Sequence, residues 1–264
     1  MAARATHAMA DKAMVDAGKG ELQWSERPRD GVFWLFLVPI AAILAIYGLY
    51  KLSYPTQSWR QKITITVTTP DGDKSGSAVQ AVKWTPNPIF KDGAAFHLSL
   101  QGEAVAVEVA PGKFLFALLS GPSGASSEYA GFIALYRFGV APVGRNEFPW
   151  AKANFESVQA ARGKGPADLP TALIPMLVRF RDINDPKTVE RVDPNNLAEA
   201  FGQGVRLARA SIEITNDPVT TGIEKRLGWL SGGYPEQRLI PATGGPVGAV
   251  PPAHLLTHSS FRRI

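Results

Sequence analysis

Residues 31–50 read GVFWLFLVPIAAILAIYGLY, a run without a single charged side chain. At a rise of about 1.5 Å per residue, a helix of that length crosses the roughly 30 Å hydrocarbon core of a bilayer. The run has no polar face, so a soluble domain would have to cover it on every side, and a transmembrane helix is the direct reading. Arg27, Arg29 and Asp30 stop it on one side and Lys51 on the other. Trp24, Phe33 and Trp34 mark one interface, and Tyr47, Tyr50, Tyr54 and Trp59 the other. Pro39 removes one backbone donor in mid-span, a defect membrane helices absorb as a local kink. The run exceeds the usual apolar core of a signal peptide, and Gly48-Leu49-Tyr50-Lys51-Leu52 offers no small-x-small cleavage site, so an uncleaved anchor is expected.

Working outward, the chain divides into a tail at residues 1–30, the helix at 31–50, a β-rich globular domain at 56–230 and a Pro/Gly-rich C-terminal tail at 231–264. A length of 264 residues with a hydrophobic share of 45% suffices for a genuine core and argues against disorder throughout. The 28 Lys+Arg exceed the 23 Asp+Glu by five. In the N-terminal tail Arg4, Lys12, Lys19, Arg27 and Arg29 balance Asp11, Asp16, Glu21, Glu26 and Asp30, so the excess follows the helix. It is thinly spread; only Arg262-Arg263 pair closely, and no basic stripe with interleaved aromatics suggests a nucleic-acid partner. Anionic head groups would suit such a diffuse surface, but ordinary solubilising charge is the reading preferred here. The absence of cysteine removes disulfides, thiolate nucleophiles and Cys-ligated metals together.

Beyond the helix, Lys62-Ile63-Thr64-Ile65-Thr66-Val67-Thr68 alternates strictly and predicts a half-buried strand. Pro70-Asp71-Gly72-Asp73 turns it, and Ser77 to Trp84 returns it. Phe96, Leu98 and Leu100 alternate again, as do Val105, Val107 and Val109 up to a turn at Pro111-Gly112-Lys113. Phe114 to Leu119 is apolar throughout, the mark of a central strand covered on both faces. Tyr129 to Phe138 reads as a further apolar strand after the small-residue loop Gly121 to Ser127. A helix is predicted over Phe148 to Ala161, strands over Pro175 to Arg181, Thr188 to Val192 and Val205 to Ile214, and a helix to Phe201 with Asp193-Pro194 as N-cap and first residue. Thr221 is placed as the cap of a short helix reaching Leu230. From Ser231 onward, Pro235, Pro241, Pro246, Pro251 and Pro252 imply an extended tail that wraps the domain or waits for a partner.

The segments Met176-Leu177-Val178-Arg179-Phe180-Arg181-Asp182-Ile183-Asn184-Asp185-Pro186-Lys187, Val192-Asp193-Pro194, Ala200-Phe201-Gly202 and Thr215 to Lys225 resemble a family of uncharacterised single-pass membrane proteins of alphaproteobacteria. The likeness extends upstream through Tyr50 to Pro55, Lys74 to Ser77 and Gly102 to Val105. It implies a bacterial origin and an anchor near the N-terminus, and carries no activity, fold or ligand onto particular residues.

Candidate chemistry is sparse. Asp182, Asn184 and Asp185 put oxygen donors close together, as a weak hard-cation site would need, but lack the spacing of a twelve-residue calcium loop. Asp and Asn before Pro also form ordinary turns and caps, the reading preferred here. His254 and His258 have i, i+4 spacing, yet no HExxH motif accompanies them and Pro251-Pro252 oppose a helix. Gly121-Pro122-Ser123-Gly124 lacks a nucleophile elbow, and Gly244 to Gly248 lacks the Lys-Ser/Thr of a phosphate loop. Trp84, Trp150 and Trp229 are assigned to packing.

The expectation is therefore an α+β, β-dominated globular domain, an antiparallel meander with short helices, behind one N-terminal transmembrane helix. No catalytic residue, cofactor or metal is assigned. The expected setting is the inner membrane with the domain in the periplasm, although Lys12, Lys19, Arg27 and Arg29 nearly balance Lys51, Arg60 and Lys62 across the helix. Expected partners are the lipid bilayer and other envelope proteins. The alternatives are a small-molecule or lipid carrier built on the apolar strands, or an enzyme whose site is scattered along the chain.

Overall fold

The alternating segment at Lys62 lies inside a longer strand, β1 (Gln57–Thr69), in which Trp59, Gln61, Ile63, Ile65 and Val67 are buried and the residues between them face outward. The computed structural model describes residues 30–53, 55–87, 96–124, 126–140, 148–232, 237–240 and 252–264. The Ala-rich tail, Trp24, most prolines of the C-terminal stretch and Gly244 to Gly248 lie outside the described residues, as does the side chain of Trp150.

The chain forms two units, Met1–Tyr54 and Pro55–Ile264. In the first, helix α1 (Asp30–Ser53) carries Pro39 inside it and no amphipathic side. Its stretch Trp34–Ser53 is long and apolar enough to cross a membrane. Length and composition of this kind fit an anchor and a signal sequence alike.

In the second unit β1 pairs antiparallel with β2 (Gly72–Pro86) through a two-residue turn at Pro70-Asp71, and β2 pairs with β3 (Phe96–Glu103). These join β9 (Arg206–Thr215), β6 (Ala167–Asp168) and β10 (Arg262–Arg263) in a six-stranded sheet ordered β10-β3-β2-β1-β9-β6. The predicted meander stops at β3. Gly102, with φ +134° and a Cβ position only 3.0 Å from the Gln80 backbone, lets the chain leave the first sheet. β4 (Val105–Ala110) and β5 (Lys113–Ala117) then begin a second, four-stranded sheet, ordered β4-β5-β7-β8 with β7 (Leu177–Phe180) and β8 (Val189–Val192). The two sheets come so close that a Cβ on Gly76 would sit 2.2 Å from the Ala106 carbonyl oxygen.

The second sheet is covered on both faces, as the unbroken apolar run predicts. Leu115, Ala117 and Leu119 enter a core shared with Ile63, Ile65 and Val82 of the first sheet. Phe116 and Leu118 face a second core with Met176, Ile223, Leu227, Leu256 and Phe261. Burying each such large side chain stabilises the fold by roughly 1.5–3 kcal/mol.

The strand expected over Tyr129 to Phe138 is instead helix α2 (Ala130–Phe138). Ala130, Ile133 and Ala134 are buried, the spacing of a helical face rather than of a strand, and the helix packs beneath the first sheet. There Trp84 meets Phe132 edge-on at 5.0 Å and Phe155 at 6.1 Å. Phe155 belongs to α3 (Phe148–Ala160), the predicted helix.

Two capping expectations also change. Helix α4 (Leu197–Phe201) begins four residues after Asp193, whose carboxylate accepts the Asn195 N–H (2.9 Å) in a turn ahead of it. Beyond Thr221 there are two 3₁₀ turns, Ile223–Lys225 and Gly228–Ser231, and Thr221 caps neither.

Proline and glycine mark the stretch from Ser231, yet its end belongs to the fold. Leu239 and Leu256 are buried and share a backbone hydrogen bond of 3.0 Å. Phe261 is fully buried, with Phe180 and Trp229 at 5.7 and 5.4 Å. β10 then pairs with β3 at Gly102 and Glu103.

Candidate functional site

The loop nominated for a cation uses its oxygens locally. Asp182 Oδ1 accepts the Asn184 N–H at 2.9 Å, and Asp185 Oδ1 accepts the Lys187 N–H at 2.9 Å, capping the 3₁₀ turn Pro186–Thr188. Thr188 Oγ1 closes the loop by donating toward the carbonyls of Asp182 and Asp185. These are Asx-turn and cap bonds that fix the β7–β8 connection. His254 and His258 fall in separate 3₁₀ turns, so their spacing does not stack two imidazoles on one helix. Among the described residues no group of three or more His, Asp or Glu side chains would hold a metal ion.

The apolar segments behind the carrier alternative supply mostly core, and Phe138 at the end of the second lines an open depression of about 390 Å³. Phe114 to Leu119 is packed from both sides, and Tyr129 to Phe138 is α2.

Two polar constellations went unassigned in the sequence. The first crosses the core. Trp59 Nε1 donates to Gln61 Oε1 (3.1 Å), and Gln61 Nε2 donates to Gln80 Oε1 (3.1 Å) and to the Ala130 carbonyl (2.6 Å). Gln80 Nε2 continues to the Glu103 carbonyl (3.2 Å). Gln61 and Gln80 are cross-strand partners, so two neighbouring strands, the start of α2 and the end of β3 are tied by one chain of buried amides. At its far end the Glu103 carboxylate, only 3% exposed, accepts the N–H groups of Gly222 (2.8 Å) and Ile223 (2.9 Å). Burial raises the Glu103 pKa above its ordinary 4.5, the two N–H bonds oppose that, Glu224 adds to it and Arg262 opposes it. Glu103 thus caps the turn assigned to Thr221, from 119 residues earlier in the chain. Nearby, burial first and then Tyr136 push the Tyr129 phenol up to about 12.

The second constellation is an open basin of about 530 Å³ on the outward face of the six-stranded sheet. Strand register builds it in two rows. Ser58, Lys83 and Ser99 are aligned across β1, β2 and β3. Thr215, Arg60, Ala81 and Gln101 form the next row across β9, β1, β2 and β3. Ala81 leaves a depression between the long side chains, and Arg162 and Asn216 wall it. Arg60 Nη1 donates to the carbonyls of Asn216 (3.0 Å) and Asp217 (3.3 Å). Arg162 donates to Asn216 Oδ1 and, at 3.1 Å, to Gln159 Oε1.

No protein-family model, curated protein or solved structure matches the chain.

Proposed function

We propose that this chain is a non-enzymatic, single-pass component of a bacterial envelope that holds a binding domain next to the inner membrane, with the domain in the periplasm. The observation that supports the reading is the pairing of α1, uncharged from Gly31 to Tyr50, with a separately folded unit from Pro55 onward whose outward sheet face is polar. Such a helix is stable when lipid surrounds it, and the bilayer is its first partner. Other envelope proteins are the second.

Sidedness tests the setting cleanly, because the chain has no cysteine. Ser123 is exposed in the loop before α2, so Ser123→Cys gives a single reporter. A membrane-impermeant maleimide should label it in cells whose outer membrane is opened and whose inner membrane is intact. Labelling only after inner-membrane lysis would put the domain in the cytoplasm and overturn the reading. The intact mass of the labelled protein should include residues 31–50, as an anchor requires and a cleaved signal sequence forbids. In the same membranes, chemical cross-linking should capture a reproducible envelope partner.

A further inference from the structure

The basin on the outward sheet face joins three cations without an acid. Arg60, Lys83 and Arg162 line it, no Asp or Glu does, and among the described residues none of the three forms an ion pair. The nearby Asp217 carboxylate turns to Lys62 instead, at 3.6 Å. Arg60 and Arg162 are held by carbonyl and amide oxygens, neutral acceptors that orient each guanidinium and leave its charge uncompensated. Lys83 is exposed, and its ammonium makes no hydrogen bond or ion pair among the described residues. Neighbours on one face of a sheet are about 5 Å apart across strands and roughly 7 Å along them, so Arg60 borders small Ala81 across the strand pair, Lys83 borders it along β2, and the two cations are diagonal neighbours. Like charges at such separations repel, and an anion between them removes that cost.

We propose that this basin binds the phosphate group of a hydroxyl-bearing molecule. A phosphate carries about −1.5 to −2 charges and three acceptor oxygens, which suits several converging cations better than a single carboxylate does. Ser58, Ser99 and Thr215 hydroxyls with the Gln101 amide border the same depression and accept or donate to a polyol body. The phosphate belongs either to a free phosphorylated polyol or to a lipid head group. The inference deepens the reading of the domain as a binding module.

The test uses the full chain in maltoside micelles, which contain no phosphate. Calorimetric titration with glycerol 3-phosphate should give saturable binding if the free ester is the ligand. Saturable binding of phosphatidylglycerol in mixed micelles, with no response to glycerol 3-phosphate, would support the lipid head group as the source. In either arm Lys83→Glu should weaken binding by roughly tenfold or more, equivalent to about 1.4 kcal/mol per decade. Lys83 is exposed on a strand face, so the variant should keep the wild-type tryptophan spectrum. Absence of saturable binding to either probe at about 10 mM, weaker than any useful affinity, overturns the proposal. So does a Lys83→Glu variant that binds as tightly as the wild type. Neither result bears on sidedness, and cytoplasmic labelling of Ser123→Cys would leave the basin chemistry untouched.

Discussion

The hairpins of the first sheet and the turn layer over the second are both buried and tightly packed, but they are assembled by opposite means. β1, β2 and β3 follow one another along the chain, and a two-residue turn fixes the first pairing in register. The layer of Ile223, Leu227, Leu230, Leu256 and Phe261 has no long element of its own. It is held by bonds from distant places: Glu103 to Gly222, Arg263 to Glu128 (3.0 Å), Arg262 to Glu224 (3.2 Å) and the Ala104 N–H to the Phe261 carbonyl (2.8 Å). A layer of short turns satisfies few of its own backbone groups, so the rest of the fold has to do it. The layer should therefore contribute to stability as a hairpin core does.

The most demanding test is Phe261→Ala. Phe261 is fully buried among Phe116, Phe180 and Trp229. Its truncation should destabilise the domain by about 3–5 kcal/mol, comparable to the about 2–5 kcal/mol for Ile63→Ala in the hairpin core. Urea unfolding of the full chain in micelles, followed by tryptophan fluorescence, measures both. A cost for Phe261→Ala below about 1 kcal/mol would mean the C-terminal layer rests on a domain that is already complete.

A comparable effect is expected at Glu103. Glu103→Ala removes the acceptor of two backbone N–H groups in a buried place, and each orphaned donor costs about 1–3 kcal/mol, so a loss of about 2–6 kcal/mol is expected. Glu103→Gln keeps one carbonyl oxygen for one of those donors and removes a charge that burial disfavours. It should cost less than half as much. Equal losses for the two variants in the same urea experiment would show that charge, rather than acceptor geometry, holds the turn.

The contrast between the two regions also sets what was legible in the sequence. Ile63, Ile65 and Val67 alternate with threonines because one face of β1 is buried, and that period survives in a single sequence. Phe114 to Leu119 showed its two-sided burial in the same way. Tyr129 to Phe138 is apolar at nearly every position, so strand and helix periods fit it equally well, and the choice went to the wrong one. Leu256 and Phe261 sit among 3₁₀ turns, which are too short to leave a period. Glu103 ends β3, and nothing local in the sequence marks it as the cap of a turn far downstream. The basin is hidden for another reason. Thr215, Arg60, Ala81 and Gln101 become neighbours only when the registers of four strands are known together.

The least expected effect is one of pH, and it separates the layer from the hairpins by sign. His258 stands against Trp229 with ring centroids at 5.3 Å, and its buried Nδ1 has no hydrogen-bond partner among the described residues. Burial foremost, with Arg262 in second place, lowers its pKa below the ordinary 6.5. Above that value the imidazole is neutral in both folded and unfolded chains and adds no pH dependence. As pH falls through 6.5 the unfolded chain takes the proton first, so His258 makes the domain less stable until pH passes below the folded-state pKa. Glu103 acts oppositely: its folded-state pKa is raised above 4.5, so the folded chain takes a proton first and gains stability as pH falls through that value toward 4.5. Glu224, whose pKa is lowered, loses its contribution only as pH falls through 4.5 and below. Urea midpoints between about pH 7.5 and 4.5 should therefore decline more steeply in Glu103→Gln than in wild type, and His258→Gln should flatten the decline in that background. If His258→Gln leaves the slope of Glu103→Gln unchanged, the imidazole is solvated in the folded chain and the turn around it is looser than its packing against Trp229 and Phe261 requires.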